Sequence, residues 1–469
     1  MSAKDTPQGL RLAFYGDDFT GSTDALEVLA FGGLRCALFL SVPTPEQMAA
    51  LGGFDAIGVA GASRAMSPEE MDSDLPAVLR GLADVAPQIV HYKVCSTFDS
   101  APTVGNIGRV IALSRPAFPQ PLVPIVAGTP ALGRYCLFGH LFARSGTDGE
   151  VYRIDRHPIM SVHPVTPMQE SDVARHLQKQ APLTIGNVPL TWLETAPPAE
   201  LAARVAAMAP ARQAVVFDGL TPAHLTTTGD CLQRMASAQG MPLFVVGSSG
   251  VEYALTQFWQ REGAAPAANP YNDFEAVDQV LVVSGSASTL SAMQIQAAVD
   301  AGFHEVAIDV EALTMGPETG AAGGRLVAEV VGALASGASV VMHTARGTDD
   351  PRVARLIQAL RGRGCSPEQA RHQSGRLVSE SLGSVVDAIV RRHRLRRLVL
   401  SGGDTSSRIT QALGPDALEI RARLAPGAPL CAVLSSAPHL RGLELALKGG
   451  QMGGADYFVR ALRGSGRLT

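Results

Sequence analysis

The chain has 469 residues, a length that allows two or three domains with a buried core in each. Apolar residues make up 46% and charged residues only 17% of it, which excludes disorder over most of the chain and favours an α/β protein with buried parallel strands. The formal net charge of −4 excludes a general basic field that attracts nucleic acid or anionic membrane, so we expect a small molecule as the partner.

The cysteines and the N-terminal residues bear on the cellular compartment. Six cysteines are scattered singly without a CxxC pair, a pattern typical of reduced thiols and not of a zinc site or a disulfide framework. The first ten residues lack the apolar core of a signal peptide, and no apolar run reaches the roughly 18 residues of a membrane span. We therefore expect a cytoplasmic protein with neither a membrane nor a nucleic-acid partner.

Short apolar runs alternate with amphipathic stretches through the first half of the sequence. A predicted strand at 12–15 precedes a predicted helix at 23–31, and the same order repeats along the chain. This alternation predicts βαβ units around a mostly parallel sheet. Further predicted strands lie at 36–40, 56–60, 89–94, 122–126, 214–217 and 243–246.

The alternation breaks at 262–278, where two prolines, a glycine and no apolar period predict a linker. We therefore predict an N-terminal domain at 1–261 and a C-terminal domain at 279–469. A second α/β pattern follows the linker, but between 417 and 447 three short apolar segments lie close together, which favours antiparallel or mixed strands. The predicted fold class is α/β, with two domains of mostly parallel sheet and a partly mixed C-terminal sheet.

Two adjacent carboxylates, Asp17 and Asp18, follow the first predicted strand in the sequence GDDFTGSTD. The carboxyl end of a strand is where ligands bind in an open α/β sheet. Carboxylates at this position can hold a polyol, accept a hydroxyl proton or bind Mg²⁺ through water. The same residue types also form helix N-caps and turns, and this alternative stays open. An aspartate-nucleophile phosphohydrolase would need a second Asp two positions on, where this chain has Phe19.

A positively charged residue follows or ends each of two further predicted strands. Arg64 lies in the sequence GASR and Lys93 in the sequence YKVCSTFDS. Together with Asp17 and Asp18 they predict a pocket that binds a carboxylate through ion pairs and sugar hydroxyls through Asp and Ser side chains. A salt-bridge cluster at the surface is the alternative.

Three loops rich in glycine and serine occur in the second half, in the sequences SGSAS, SGGDTSS and KGGQMGG. Such loops present main-chain N–H groups to phosphate. One loop of this kind is usually a turn, whereas three in one domain favour a nucleotide site, although the P-loop pattern is absent. One loop contains one of only four lysines in the chain. The predicted nucleotide-binding residues are Ser286, Ser288, Gly402, Gly403, Asp404, Thr405, Lys448, Gly449 and Gly450.

Six motifs together resemble the four-carbon acid sugar kinase family. They are GDDFTGSTD, KVCSTFDS with GNIG, HPVTPMQES, SGSAS, SGGDTSS and LKGGQMGGADYF, which follow the order of the family over nearly the whole chain. The resemblance implies a sugar-binding N-terminal domain and a nucleotide-binding C-terminal domain. It also implies phosphorylation of a small acid sugar, such as threonate, erythronate or a 3-oxo form, in an interdomain cleft with ATP and Mg²⁺.

The resemblance also implies roles for individual residues. For the phosphoryl transfer itself, our candidate general base is one of the two adjacent aspartates, and Lys93 would offset charge on the transferred phosphoryl group. Cys95 stands where tetronate kinases of the family often have Asp, a variant that resembles the 3-oxo-tetronate branch. The stretch 127–143 fits that branch poorly and leaves 3-oxo-isoapionate open as a substrate. The predicted catalytic residues are Asp17, Asp18 and Lys93, and the predicted substrate-binding residues are Asp17, Asp18, Arg64, Lys93, Cys95 and Ser96.

Two other classes of function remain as alternatives. A non-catalytic sugar-acid sensor would use the same residues, but the sequence shows no DNA-binding element. A metal-dependent phosphohydrolase would need the missing second Asp. The metal ligands and the oligomeric state stay open, with a homodimer as the candidate assembly.

Overall fold

A computed structural model of the protein describes residues 9–146, 149–265, 271, 273–315 and 319–465. The chain divides into two compact units, Met1–Asn269 and Pro270–Thr469. Part of the predicted linker at 262–278 lies outside the described residues, and the domain boundaries stay a prediction. The α/β fold class is confirmed, because each unit has helices around a mostly parallel sheet.

The N-terminal unit is built on a sheet with the strand order β2-β3-β1-β4-β11-β5-β10-β9, and every described pair in it is parallel. The strands of this unit are β1 (Leu12–Gly16), β2 (Cys36–Phe39), β3 (Ala56–Ala60), β4 (Ile89–Lys93), β5 (Val123–Val126), β6 (Arg134–Leu137), β7 (His140–Arg144), β8 (Val151–Arg153), β9 (Ile185–Val188), β10 (Ala214–Phe217) and β11 (Leu243–Gly247).

The central strands of this sheet are buried along their length, as is typical of a parallel sheet with helices on both faces. All five residues of β1 are buried, and Gly16 at its end is in register with Ala60 of β3 and Lys93 of β4. The chain segments that leave these three strands therefore start side by side. The helices are α1 (Phe19–Phe31), α2 (Pro45–Ala50), α3 (Pro68–Asp84), α4 (Ile107–Ser114), α5 (Val173–Gln178), α6 (Leu190–Thr195), α7 (Pro198–Ala206), α8 (Pro222–Ala238) and α9 (Gly250–Arg261).

A small antiparallel sheet of β6, β7 and β8 is a feature that the sequence analysis did not predict. The turn between β6 and β7 places Phe138 and Gly139 at positive φ, 50° and 79°. The fully buried carboxylate of Asp218 accepts hydrogen bonds from both of their backbone N–H groups, at 2.6 and 2.8 Å. Asp218 therefore fixes this turn from a position about eighty residues away in the sequence.

The C-terminal unit has the strand order β13-β14-β12-β15-β18-β17-β16. The first five strands in this order pair in parallel, whereas β17 pairs antiparallel with both β16 and β18. The prediction of a partly mixed sheet is therefore confirmed. The strands are β12 (Leu281–Ser284), β13 (His304–Ala307), β14 (Val340–His343), β15 (Arg397–Ser401), β16 (Ala417–Ala425), β17 (Ala428–Leu434) and β18 (Glu444–Lys448).

Helices of the C-terminal unit begin at side chains that satisfy their first backbone N–H groups. Ser288 accepts from Ser291, and Ser366 forms a reciprocal capping box with Gln369. None of the helices in the described part of the chain has both the length and the apolar character of a membrane span. The helices are α10 (Thr289–Asp300), α11 (Val310–Thr314), α12 (Thr319–Ala335), α13 (Pro351–Gly362), α14 (Pro367–Arg392), α15 (Gly403–Leu413) and α16 (Tyr457–Arg463).

Candidate active site

Asp17 and Asp18 lie where β1 ends and α1 begins. The backbone N–H of Asp17 donates to the carbonyl oxygen of Lys93 at 2.8 Å, which ties the end of β1 to the end of β4. Asp18 is the N-cap of α1, and its Oδ1 accepts from the backbone N–H of Gly21 at 2.7 Å. The N-cap alternative is therefore confirmed for Asp18, and its role as a site residue stays a prediction. The side chain of Asp18 is 29% exposed, whereas that of Asp17 is 6% exposed.

Arg64 follows β3 and joins both carboxylates. Its Nε and Nη2 donate to the two oxygens of Asp17 at 3.1 and 2.7 Å. Its Nη1 and Nη2 donate to the two oxygens of Asp18 at 2.8 and 3.0 Å. A guanidinium group has five N–H donors, so these four bonds leave one of them for another partner. Burial raises the pKa of Asp17 above its ordinary value, and the charge of Arg64 opposes this effect.

Lys93 ends β4 and brings a second positive charge, which is buried, to the same place. Its Nζ donates to the carbonyl oxygen of Val94 at 3.0 Å and lies 3.8 Å from Oδ2 of Asp24 on α1. Burial raises the pKa of Asp24, and the charge of Lys93 opposes the shift. A Cβ at Gly21 would lie 2.5 Å from the Asp18 carboxylate and 3.2 Å from Lys93 Nζ. We call Asp17, Asp18, Asp24, Arg64 and Lys93 the charged cluster.

Cys95 lies two residues beyond β4, in the segment that follows Lys93. Its Sγ is 3.0 Å from Oγ1 of Thr97, which donates to Oδ1 of Asp99 at 2.5 Å. Because the Thr97 hydroxyl proton points to the carboxylate, Thr97 accepts from the thiol. Burial, with a contribution from Asp99, raises the pKa of the Cys95 thiol to about 11. Ser96 is half-buried beside it.

The raised pKa predicts that Cys95 resists alkylation. At pH 7 a thiol with a pKa of about 11 is a thiolate in only about one molecule in 10⁴, and the thiolate is the nucleophile. We expect iodoacetamide to modify Cys365 well before Cys95, with the Cys95 rate rising about tenfold per pH unit between pH 7 and 10. Mass spectrometry of timed samples measures both rates. Rapid labelling of Cys95 at pH 7 would contradict the neutral, half-buried thiol.

The three Gly/Ser loops of the C-terminal unit follow β12, β15 and β18, whose last residues are in register. Ser288 Oγ donates to the carbonyl oxygen of Gly450 at 2.6 Å, which joins the first loop to the third. A Cβ at Gly450 would lie 2.4 Å from Ser286 Oγ, and one at Gly285 would lie 1.9 Å from Thr405 Oγ1. The three loops therefore contact one another closely, and glycine permits this approach.

The N-terminus of α15 lies among these loops. Gly402 is its N-cap at a φ of 116°, and its backbone N–H donates to the carbonyl oxygen of Lys448 at 2.9 Å. Gly403, the exposed Asp404 and the buried Thr405 form the first turn of the helix, where backbone N–H groups lack intrahelical partners. Such a turn is suited to bind an anion.

Lys448 is the last residue of β18 and is 2% exposed. Its Nζ donates to Ser401 Oγ at 2.9 Å and lies 5.9 and 5.7 Å from the ring centres of Tyr457 and Phe458. No carboxylate among the described residues pairs with this ammonium group. Burial lowers its pKa to about 8. A buried cation without a counter-charge is expected to attract a negatively charged phosphate group.

We predict that Gly402→Ala weakens nucleotide binding through main-chain strain. A residue with a Cβ is strained at a φ of 116°, by roughly 1–3 kcal/mol, and the new methyl group would lie 3.5 Å from the backbone nitrogen of Ser286. We expect the affinity for ADP to fall about tenfold or more, measured by calorimetry. Gly414→Ala is the matched control, because Gly414 ends the same helix at a φ of 61° with only Gln411 O, at 4.0 Å, near its Cβ position. Equal loss of ADP binding in both variants would contradict the prediction.

The structure groups the predicted residues into two sets. Asp17, Asp18, Arg64 and Lys93 lie together in the N-terminal unit, and the Gly/Ser loops lie together in the C-terminal unit. The sequence analysis missed Asp24, although it stands in the quoted motif GDDFTGSTD. It also missed Gln294, whose side chain donates to the carbonyl oxygens of Met452 and Gly454 and holds the third loop.

Family models match both halves of the chain. The sugar-binding N-terminal domain matches residues 12–255, and the nucleotide-binding C-terminal domain matches residues 281–458. These two models cover most of the described residues, including both sets of predicted site residues.

Curated relatives match over almost the whole length. A 3-oxo-isoapionate kinase of Paraburkholderia graminis is 41% identical over 453 residues, which cover 96% of this chain and 94% of the relative. A 3-oxo-tetronate kinase of Cupriavidus necator is 31% identical over 456 residues, 96% of each chain. Among solved structures, a Salmonella typhimurium protein covers 97% of this chain and 99% of its own, with a TM-score of 0.77 and 24% identity, and supports the fold. The chain therefore belongs to the four-carbon acid sugar kinase family.

Proposed function

We propose that this protein transfers the γ-phosphoryl group of ATP to a hydroxyl of a small acid sugar. The observation that carries the proposal is the pair of adjacent carboxylates at the end of β1, held by one arginine, with the Asp18 side chain partly exposed. The 3-oxo-isoapionate kinase at 41% identity makes 3-oxo-isoapionate the first substrate to test, followed by 3-oxo-tetronate. The interdomain cleft, the homodimer and the cytoplasmic location stay predictions.

On the sugar side, we assign the general base to Asp18, because its carboxylate is the more exposed of the pair. Asp18 would accept the proton of the attacking hydroxyl as that oxygen bonds to the γ-phosphorus. Asp17 would hold Arg64 in place, since it binds the side of the guanidinium group through both oxygens. Lys93 would offset negative charge on the phosphoryl group. Cys95 and Ser96 would contact the sugar.

On the nucleotide side, the phosphates of ATP would lie against the three Gly/Ser loops. The first turn of α15 offers backbone N–H groups, and Lys448 offers the charge. The described residues contain no group of three or more His, Cys, Asp and Glu side chains arranged to hold a metal ion. Mg²⁺ in kinases is often bound by substrate phosphates and one or two carboxylates, where it neutralises phosphate charge, and Asp404 is the carboxylate on these loops that we assign to it.

The proposal is tested by incubating the pure protein with ATP, Mg²⁺ and one acid sugar at a time. The panel is 3-oxo-isoapionate, 3-oxo-tetronate, threonate and erythronate, and the readouts are ADP release and the mass of the phosphorylated acid. We expect one ADP per phosphorylated acid with at least one member. Tight binding of an acid without ADP release would favour the sugar-acid sensor. Release of phosphate from a phosphorylated acid in the absence of ADP would favour the phosphohydrolase.

A further inference from the structure

The charged cluster does not by itself favour an anionic substrate. It holds three carboxylates, Asp17, Asp18 and Asp24, against two cations, Arg64 and Lys93. Four of the five N–H donors of Arg64 already bind Asp17 and Asp18. An acid sugar therefore needs a further positive charge near this cluster to bind its carboxylate.

Arg134 is placed to supply that charge. It is the first residue of β6, and its backbone pairs with Thr129, three residues beyond the end of β5. Strand β5 neighbours β11, which neighbours β4, so Arg134 lies at the same carboxyl edge of the sheet as Lys93. Thr129 Oγ1 is 2.5 Å from Ser248 Oγ, one residue beyond the end of β11, the strand that lies between β5 and β4.

The hydrogen bonds of Arg134 leave one side of its guanidinium group free within the described part of the chain. Nη1 donates to the carbonyl oxygens of Leu132, Gly133 and Arg144, at 3.0, 3.4 and 3.3 Å. Nε is buried and has no hydrogen-bond partner among the described residues. A buried N–H without an acceptor costs free energy, which a bound carboxylate would recover. Arg64 shows how Nε and Nη2 together bind a carboxylate, on Asp17.

We propose that Arg134 binds the carboxylate of the acid sugar through Nε and Nη2, and that it is the residue by which the site distinguishes an acid from a neutral sugar. This inference rests on the proposed function for the class of its ligand. It gives Arg134 the carboxylate-binding role that the sequence analysis predicted for Arg64 and Lys93. In this arrangement Arg64 holds the two aspartates in place, and Arg134 binds the carboxylate of the substrate.

The test compares Arg134→Gln with Arg153→Gln. Arg153 lies on β8 of the same small sheet, but its Nε and Nη2 are bound to the two oxygens of Asp155. The probes are freshly prepared 3-oxo-isoapionate and its methyl ester, which keeps the carbon skeleton and removes the charge. Binding is measured by calorimetry without ATP, and KM values are measured for the acid and for ATP.

We expect Arg134→Gln to weaken binding of the acid and to raise its KM by about 30-fold or more, with the KM for ATP within about twofold of the parent. The ester should bind the parent and Arg134→Gln equally weakly. Arg134→Lys, which keeps the charge and loses the paired donors, should raise the KM less, by roughly tenfold. Arg153→Gln should match the parent.

Three outcomes would overturn the inference. The first is an unchanged KM for the acid in a folded Arg134→Gln protein. The second is an equal fall in the affinities for the acid and the ester, which is the result expected if Arg134 has a purely structural role. If Arg134→Gln does not fold, an Arg134→Lys protein with an unchanged KM would overturn it equally. Failure of the proposed function gives a different signal, because the parent would then bind the acid in calorimetry without releasing ADP.

Discussion

Asp18→Asn is expected to lower kcat by about 10²–10⁴ while the KM for ATP stays unchanged, because the attacking hydroxyl loses its proton acceptor. Asparagine is as good an N-cap as aspartate, so its side-chain oxygen can still accept the Gly21 N–H and α1 should begin at the same residue. The fall in turnover is then due to the missing carboxylate, which is both the proposed proton acceptor and a partner of Arg64, and not to an unfolded helix. Steady-state assays of ADP release with saturating acid sugar measure kcat.

Asp17→Asn is the matched variant on the neighbouring residue. Its buried amide would present one N–H₂ group to Arg64, which has only donors, so we expect a lower melting temperature as well as lower activity. Near-full turnover of Asp18→Asn, together with a large kcat loss in a stably folded Asp17→Asn protein, would assign the base to Asp17. Near-full turnover of both variants would place the base outside this pair.

Lys448→Met is expected to stabilise the nucleotide-free protein and to weaken ADP binding. The pKa of Lys448 falls from 10.5 to about 8, so burial of the charged form costs on the order of 3 kcal/mol below pH 8. Methionine has a similar length and carries no charge, which removes this cost and also the contact with phosphate. We expect a rise in melting temperature and a fall in ADP affinity of about 30-fold or more, by calorimetry.

The lowered pKa of Lys448 also determines how the stability of the protein changes with pH. The folded protein releases the Lys448 proton near pH 8, whereas the unfolded chain keeps it to about pH 10.5. Between these values the unfolded state binds more protons, so this group makes the protein more stable as the pH rises. ADP affinity should fall above about pH 8, because the neutral amine no longer attracts phosphate. Lys448→Met should show neither effect.

Lys179→Met is the control for Lys448, because Lys179 is an exposed lysine, 57% accessible and 3.8 Å from Glu170. The substitution should leave ADP affinity unchanged, and it should change the stability of the protein by no more than the small contribution of a surface ion pair. A Lys448→Met protein that binds ADP as tightly as the parent would contradict the assignment of Lys448 to the phosphates, whatever its melting temperature.

The sequence predicted which strand ends carry polar and charged residues, because such residues after an apolar run are visible without a structure. It could not predict how their side chains pair. Arg64 lies 47 positions from Asp17, and their contact depends on the register of β1 with β3. No sequence pattern singled out Arg134, because the missing hydrogen-bond partner of its Nε is known only once the positions of the surrounding acceptors are known.

The unpredicted small sheet has a similar explanation. Hairpin prediction relies on turn residues such as Asn-Gly or Asp-Gly, but the turn here is Phe138-Gly139. Its stability comes from Asp218, which is buried and distant in sequence. By contrast, the antiparallel strands near the C-terminus were predictable, because short apolar segments separated by tight turns pair locally.

The position of β18 has a consequence for biosynthesis. Among the described residues it is the last strand to be synthesised, but it lies between β15 and β17 and pairs with both. A nascent chain that has reached β17 therefore has an unpaired edge on β15 and lacks Lys448 and the third Gly/Ser loop. The C-terminal unit can complete its sheet only after Glu444–Lys448 has been synthesised, so premature termination before Glu444 should yield a protein that cannot bind nucleotide and is prone to aggregate.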